Sequence, residues 1–377
     1  MRDLLSYCER HLDETLDTLE ALVRLESPST DKAAVDRCGQ TLVRMLREIG
    51  ADVEVCPQQD RGNHVRAHFV GECGRVLLLG HIDTVWPVAT LDRMPLRRDG
   101  DRLYGPGVFD MKAGVAIALT AIAALRALRV PRPSIVTLWT TDEEIGSGTS
   151  RAIIEREAEA ATAVFVLEPS LADGALKTSR KGCGEFELIV DGIAAHAGVD
   201  PTRGASAIHE LAAQIAAIER LQDPAQGVSV NVGVLAGGTR PNVVAEHAAA
   251  VIDVRAPTMR QAAELEAALR ALQPQRRGTR LTLRGGFSRP PMERTAGTAV
   301  LFERAQALAV ACGRQLAEGS TGGGSDGNFT AALGVPTLDG LGASGDGAHA
   351  AHEHVLVPAL PFRSALLAGL IARSGAE

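Results

Sequence analysis

The sequence predicts an α/β protein whose mostly parallel sheet is interrupted by a smaller inserted α+β domain. Apolar runs alternate with helical periodicity as far as Glu168, a βαββαβ run occupies the middle, and the α/β alternation resumes after Pro291. A chain of 377 residues also exceeds what one hydrophobic core usually organises, which favours two domains. The expected divisions are 1–180 for the first part of the larger domain, 181–288 for the insert and 289–377 for the remainder. Gly182 and Gly184 on one side, and Gly285, Gly286, Pro290 and Pro291 on the other, mark the hinges.

Helical periodicity covers 2–25 and 33–49, followed by apolar runs at 52–56, 64–70 and 75–80 that read as strands. An Ala-rich helix follows Lys112. Ser134–Thr140 then reads as a buried strand, Ser150–Ala160 as a helix and Ala163–Leu167 as another buried strand. Continuous apolar strands separated by helices imply parallel pairing with helices on both faces. The insert is expected to hold strands 184–191, 228–235, 247–255 and 279–285 with helices 204–221 and 260–272, a compact two-layer unit. A helix at 297–312, a Gly-rich loop at 322–327 and a helix after Pro361 complete the order.

The composition, 45% hydrophobic and 3% aromatic, is that of an ordinary soluble globular protein. A net charge of -7 argues against nucleic acid as partner, since counterion displacement needs a basic face, and favours a small molecule. No apolar run approaches the ~20 residues needed to cross a bilayer; the segment after Lys112 ends in Arg126 and Arg129. Leu4, Leu5, Leu12, Leu16, Leu19, Leu22 and Val23 lie at helical spacing among charges, unlike a signal peptide, so no membrane partner and a cytoplasmic location are expected. Cys8, Cys38, Cys56, Cys73, Cys183 and Cys312 form no C-x-x-C pair and read as reduced structural thiols.

The chemistry collects at strand ends. The run Arg75–Gly80 leads directly into His81-Ile82-Asp83, at the sheet edge where open α/β folds bind ligands. Asp110 follows a glycine-bearing turn and, taken alone, reads as a helix N-cap. Asp142-Glu143-Glu144 follow another strand, and three adjacent acids repel unless solvated or bound to a cation. Glu168 follows a third strand. His349, His352 and His354 share one Gly- and Ala-rich loop, and by chemistry any of them could be a ligand. Imidazoles and carboxylates without thiolate suit zinc, with cobalt or manganese as substitutes. Two imidazoles and three carboxylates serve two metals only if one carboxylate bridges.

These segments resemble the co-catalytic zinc carboxypeptidases and aminoacylases, and within them the glutamate carboxypeptidase (carboxypeptidase G type) branch. The resemblance runs from about residue 70 to the end, through Gly80–Val85, Gly107–Gly114, Asp142–Ser147, Leu167–Ser170 and Gly347–Val355. It implies a phosphorylase/hydrolase-like zinc-peptidase catalytic domain with a ferredoxin-like lid and dimerisation insert. It also implies two zinc ions per chain held by His81, Asp110, Glu144, Glu168 and His349, with Asp110 bridging and the peptide bond after it often cis. The His-x-x-x-Glu spacing selects His349. By the same resemblance Glu143 is the general base, Asp83 orients His81, and His196 is a lid histidine that polarises the scissile carbonyl. Asn242, Arg289 and Gly324 are implied substrate contacts, Arg289 as the clamp on a terminal carboxylate. Arg255 reads as structural.

The expected substrate is an N-acyl amino acid, folate-like conjugate or dipeptide with a free C-terminal carboxylate, cleaved by a homodimer. An N-acetyl amino acid deacetylase or desuccinylase is the close alternative. A non-catalytic binding protein is the remote one, opposed by the intact Glu143 and all five ligand candidates.

Overall fold

Six strands form one sheet in the order Asp52–Cys56, His64–Phe69, Ser134–Thr140, Arg75–His81, Ala163–Val166 and Thr337–Leu338. The computed structural model describes residues 1–72 and 74–374. Arg75–His81 runs parallel to both of its neighbours, and Thr337–Leu338 parallel to Ala163–Val166. Asp52–Cys56 and His64–Phe69 are antiparallel. The sheet is therefore mixed, parallel through its centre and antiparallel at one edge. The short 57–63 connection has no room for a crossover, so the strands it joins must run opposite ways.

The chain divides into two compact units. The first comprises Met1–Ser179, Arg294–Ser320 and the stretch from Ser325 onward; the second comprises Arg180–Glu293 with Thr321–Gly324. In the first, Ala113–Ala127 is apolar all round because most of its length is interior, against a helix, Leu360–Arg373, that is equally buried. With the preceding turn, Val108–Ala127 is long and apolar enough to cross a membrane, yet 89% of its most apolar window is buried. The expected helix 2–25 is two, Arg2–Arg10 and Leu12–Val23, broken at His11, whose ring stacks on Tyr7. Asp110 does not open a helix. It sits with non-helical backbone in the turn Val108–Lys112, its peptide bond to Met111 is cis, and the helix begins at Ala113.

The second unit has strands Gly182–Asp191, Ser229–Gly237, His247–Ala256 and Arg280–Arg289 with helices Ala207–Glu219 and Met259–Arg270, in βαββαβ order. Its four-stranded sheet is antiparallel, with the spatial order second, third, first, fourth. Alternate residues Phe186, Leu188, Val190, Ile252 and Val254 face inward and meet Leu211, Ile218, Leu265 and Leu269 of the two helices. The last strand runs past 285. Arg289 pairs with Cys183 across a bulge, so Arg289 belongs to this unit and not to the stretch that returns to the first. Cys8, Cys38, Cys56, Cys183 and Cys312 are free thiols, and Cys73 lies outside the described residues.

Candidate metal centre

Three neighbouring parallel strands end together. His81 is in register with Thr140, and Leu79 with Val166, so the residues that follow each strand emerge at one edge of the sheet. His81 Nε2 lies 3.3 Å from Asp110 Oδ1 and 3.4 Å from Glu168 Oε1. His349 Nε2 lies 3.4 Å from Asp110 Oδ2 and 3.1 Å from Glu144 Oε2. Asp110 thus stands between two imidazoles with one oxygen toward each. The carboxylates of Glu143 and Glu168 and a ring nitrogen of His81 offer ligand atoms within 4.8 Å of one another, as do His81, Asp110 and Glu144.

His81 Nε2, Asp110 Oδ1 and Glu144 Oε1 are buried and make no hydrogen bond. Buried polar atoms are nearly always satisfied, and converging orphans from an all-nitrogen-and-oxygen donor set match what a divalent cation such as zinc requires.

The field here is strongly anionic. Burial opposes charge on His81, but Asp110, Asp83 and Glu168 outweigh it and hold the ring well above the ordinary imidazole range. Asp110 and Glu144 raise His349 to about 10. Burial pushes Glu144 up, assisted by the charge of Asp110, while Asp110 itself is pulled down by His349 and His81 against its own burial. A site that so favours cationic imidazole favours a metal cation for the same reason.

The surrounding contacts divide the acidic trio. Asp142 turns away, its Oδ2 accepting the amide and hydroxyl of Thr149, both at 2.7 Å. Glu143 and Glu144 begin a single 3₁₀ turn, and their backbone N–H groups point at Asp83, 3.4 and 3.3 Å from its carboxylate. Ser29 donates to the same carboxylate at 2.6 Å. His81 Nδ1 is nearer the Asp83 carbonyl, at 3.0 Å, than its carboxylate, at 3.4 Å. Asp83 therefore fixes His81 largely through its main chain and directs its side chain to the Glu143–Glu144 turn. Burial would raise the Asp83 carboxyl, but His81, Ser29 and the Glu144 amide bring it below the usual range.

Two further carboxylates are absent from the sequence reading of the site. Glu353, fully buried, accepts four N–H donors: Trp86 Nε1 at 2.7 Å, Gly107 at 2.8 Å, Phe109 at 2.9 Å and Asp110 at 3.0 Å. Burial pushes its carboxyl up, and the three amides and the indole pull it part of the way back. Asp326 accepts Thr140 Oγ1 at 3.0 Å and the hydroxyl of Ser147, bracketing the acidic turn from below. The signal for Glu353 was its spacing from His349, used there only to choose among histidines.

The three histidines of the 347–354 region separate by geometry. His349, with φ +61° and half its side chain exposed, reaches Asp110 and Glu144. His352 is 3.7 Å from Asp346, and His354 packs against Tyr104 with Nδ1 on the His352 carbonyl. The remaining sequence candidates lie in the second unit. His196 and Asn242 are exposed on adjacent segments joined by the Ala197 amide to the Asn242 carbonyl at 3.0 Å. Arg289 is buried, and a Cβ on Gly324 would stand 2.9 Å from its Cδ. Arg255 is locked on Asp253 by two hydrogen bonds of 2.9 and 2.7 Å.

Residues 77–373 match the family described as Peptidase family M20/M25/M40, a stretch that contains all five metal-centre side chains. The chain belongs to that family. As a member of peptidase family M20/M25/M40 it is a hydrolase of the metallopeptidase and amidohydrolase kind. It is 30% identical to carboxypeptidase G2 of Pseudomonas sp. (strain RS-16) over 376 residues, covering 96% of this chain and 89% of that one. It is 29% identical to succinyl-diaminopimelate desuccinylase of Dechloromonas aromatica, covering 94% and 97%. The aminopeptidase PepT of Bacillus cereus shares the fold, with a TM-score of 0.81 at 22% identity over 96% of this chain and 98% of that one.

Proposed function

We propose that this M20/M25/M40 hydrolase cleaves the amide bond to a C-terminal glutamate, or a similar acidic amino acid, in N-acyl amino acids, folate-like conjugates or dipeptides. The observation that carries the reaction type is Asp110 placed between His81 and His349, with Glu143 beside them and orphaned ligand atoms facing inward. His81, Asp110 and Glu168 would hold one zinc, and Asp110, Glu144 and His349 the second. Bound there, the two cations supply Lewis acidity to the carbonyl and acidity to the attacking water.

The chain's own groups do the rest. Glu143, half-exposed at the start of its turn and braced by Asp83, takes the proton from the water and returns it to the departing amine. His196 polarises the scissile carbonyl, and Asn242 contacts the developing oxyanion or the substrate carboxylate. Arg289, whose fork suits bidentate binding of a carboxylate, clamps the terminal carboxyl beside the backbone of Gly324. Dimerisation through the second unit is supported by the strand Ser229–Gly237, which among the described residues pairs on one side only and exposes Val234 and Leu235.

The preference for glutamate is supported by the likeness to carboxypeptidase G2, and a desuccinylase reading by the comparable likeness to the Dechloromonas aromatica enzyme. A release assay on the zinc-loaded protein decides between them, comparing N-acyl derivatives of glutamate, aspartate, ornithine and diaminopimelate with neutral dipeptides. Highest kcat/KM on the acidic derivatives is expected. Preference for ornithine, diaminopimelate or neutral residues discards the glutamate reading and the role of Arg289.

A further inference from the structure

The second unit holds a cavity of about 850 Å³ whose lining includes Arg240, Arg276, Arg277, His209 and Ser206 and, among the described residues, no acidic side chain. This is unusual for the chain, in which 46 acidic residues outnumber 39 lysines and arginines. Elsewhere in the same unit six arginines are paired with acids: Arg203 with Asp200, Arg255 with Asp253, Arg260 with Glu264, Arg270 with Glu266, Arg280 with Asp191 and Arg284 with Glu187. Arg240, Arg276 and Arg277 have no such partner among the described residues, although all three line one concavity.

The convergence is built by the fold. Arg240 lies on the loop after the strand Ser229–Gly237, and Arg276 and Arg277 on the loop before Arg280–Arg289. Both loops press against the start of the helix Ala207–Glu219. A Cβ on Gly238 would stand 3.0 Å from Ile208, and one on Gly278 3.0 Å from Ala205. Both glycines have positive φ, +73° and +84°. The second loop is held from beneath by Glu210, fully buried, which accepts the amides of Gln275 at 2.9 Å and Arg276 at 2.7 Å, while Gln214 donates to the Gln273 carbonyl at 2.8 Å. Ser206 caps the helix by accepting the His209 amide at 3.2 Å, and the helix start adds its own partial positive charge to the cavity.

We propose that this cavity is a binding site for a small dianion, a tetrahedral oxyanion or a dicarboxylate, gripped by Arg240, Arg276 and Arg277. Three arginines lining one concavity make its face electropositive, and their planar forks suit oxyanion and carboxylate geometry alike. His209 and the helix start complete the positive face. His196 and Asn242 are not part of the lining, although their chain neighbours Ala197, Arg240, Pro241 and Val243 are.

Isothermal titration of the zinc-loaded enzyme at low ionic strength, with sodium sulfate and separately with sodium succinate, tests the proposal. Saturable binding of one anion per chain is expected for at least one probe, weakened at least about tenfold in Arg276→Ala/Arg277→Ala and in Arg240→Ala. Zinc content and the thermal midpoint should stay at the wild-type values, which separates loss of the site from loss of the fold. Lysine at positions 276 and 277 should recover part of the affinity, retaining the charge without the fork. Sulfate alone identifies a tetrahedral oxyanion, succinate alone a dicarboxylate, and both a shared anion site. Failure of both probes to saturate, or equal binding by wild type and the alanine variants, overturns the proposal.

Discussion

Glu353→Gln isolates a carboxylate that touches the candidate metal centre only through the backbone. Each oxygen of Glu353 accepts two donors, Oε2 from Trp86 and Gly107 and Oε1 from Phe109 and Asp110. An amide keeps one acceptor oxygen. In either orientation two N–H groups then face an NH₂ group and lose their partner. Two hydrogen bonds to a charged acceptor contribute about 1.5–3 kcal/mol each, and relief of the buried charge offsets part of that, leaving a destabilisation of about 3 kcal/mol. Because the Asp110 amide is one of the four donors, the carboxylate between His81 and His349 should also loosen, lowering zinc affinity by roughly 10–100-fold. Urea denaturation of the chelator-treated protein reads the first effect, and competition with a zinc indicator reads the second. A Glu353→Gln protein whose denaturation midpoint and zinc affinity both match wild type refutes the positioning role.

Glu157 is buried beside Arg66 at 3.0 Å and Arg75 at 2.6 Å, and these cations hold its carboxyl below the usual range despite the opposing burial. Its contribution is therefore present above the unfolded carboxyl value of about 4.3 and lost as pH falls through the lower folded value. Glu157→Gln should cost about 2–3 kcal/mol at neutral pH, and thermal melts should show the gap to wild type closing below about pH 4. Asp326→Asn removes one of the acceptors for Thr140 and Ser147, and should lower kcat roughly tenfold at unchanged zinc content, by loosening the Glu143–Glu144 turn. Dialysis against a chelator should abolish hydrolysis, with recovery on return of zinc. Persistence of activity without metal would remove the premise of the mechanism.

The parts of the site that could be read from sequence are those set by neighbouring strands. A continuous apolar run that stops at His81, another at Thr140 and a third before Glu168 mark the same sheet edge, because parallel strands in register end together. What sequence could not supply depends on segments meeting from far apart. Three of the four donors of Glu353 are backbone amides more than 240 positions away from it, and nothing local to Glu353 distinguishes it from a surface acid. The acidic trio is similar. Like-charge repulsion argues for a cation, yet only the fold shows Asp142 diverted to Thr149 while its neighbours stay at the centre.

Asp110 illustrates the reverse error of local reasoning. Its position before an Ala-rich helix suggests an N-cap, but the chain makes an irregular turn there, and the helix starts three residues later. Arg289 shifts for a similar reason. Glycines and prolines near 285–291 suggest the end of the insert, whereas the pairing of Arg289 with Cys183 continues the strand through Gly285 and Gly286 as far as the residue before Pro290.

Metal analysis and hydrolysis on a single preparation of Glu143→Ala bear on the whole mechanism at once. About two zinc ions per chain are expected, because Glu143 is not among the five ligands, together with a rate at least about 10²-fold below wild type on the preferred N-acyl amino acid. Wild-type turnover with both metals in place would contradict the role of Glu143 as the base.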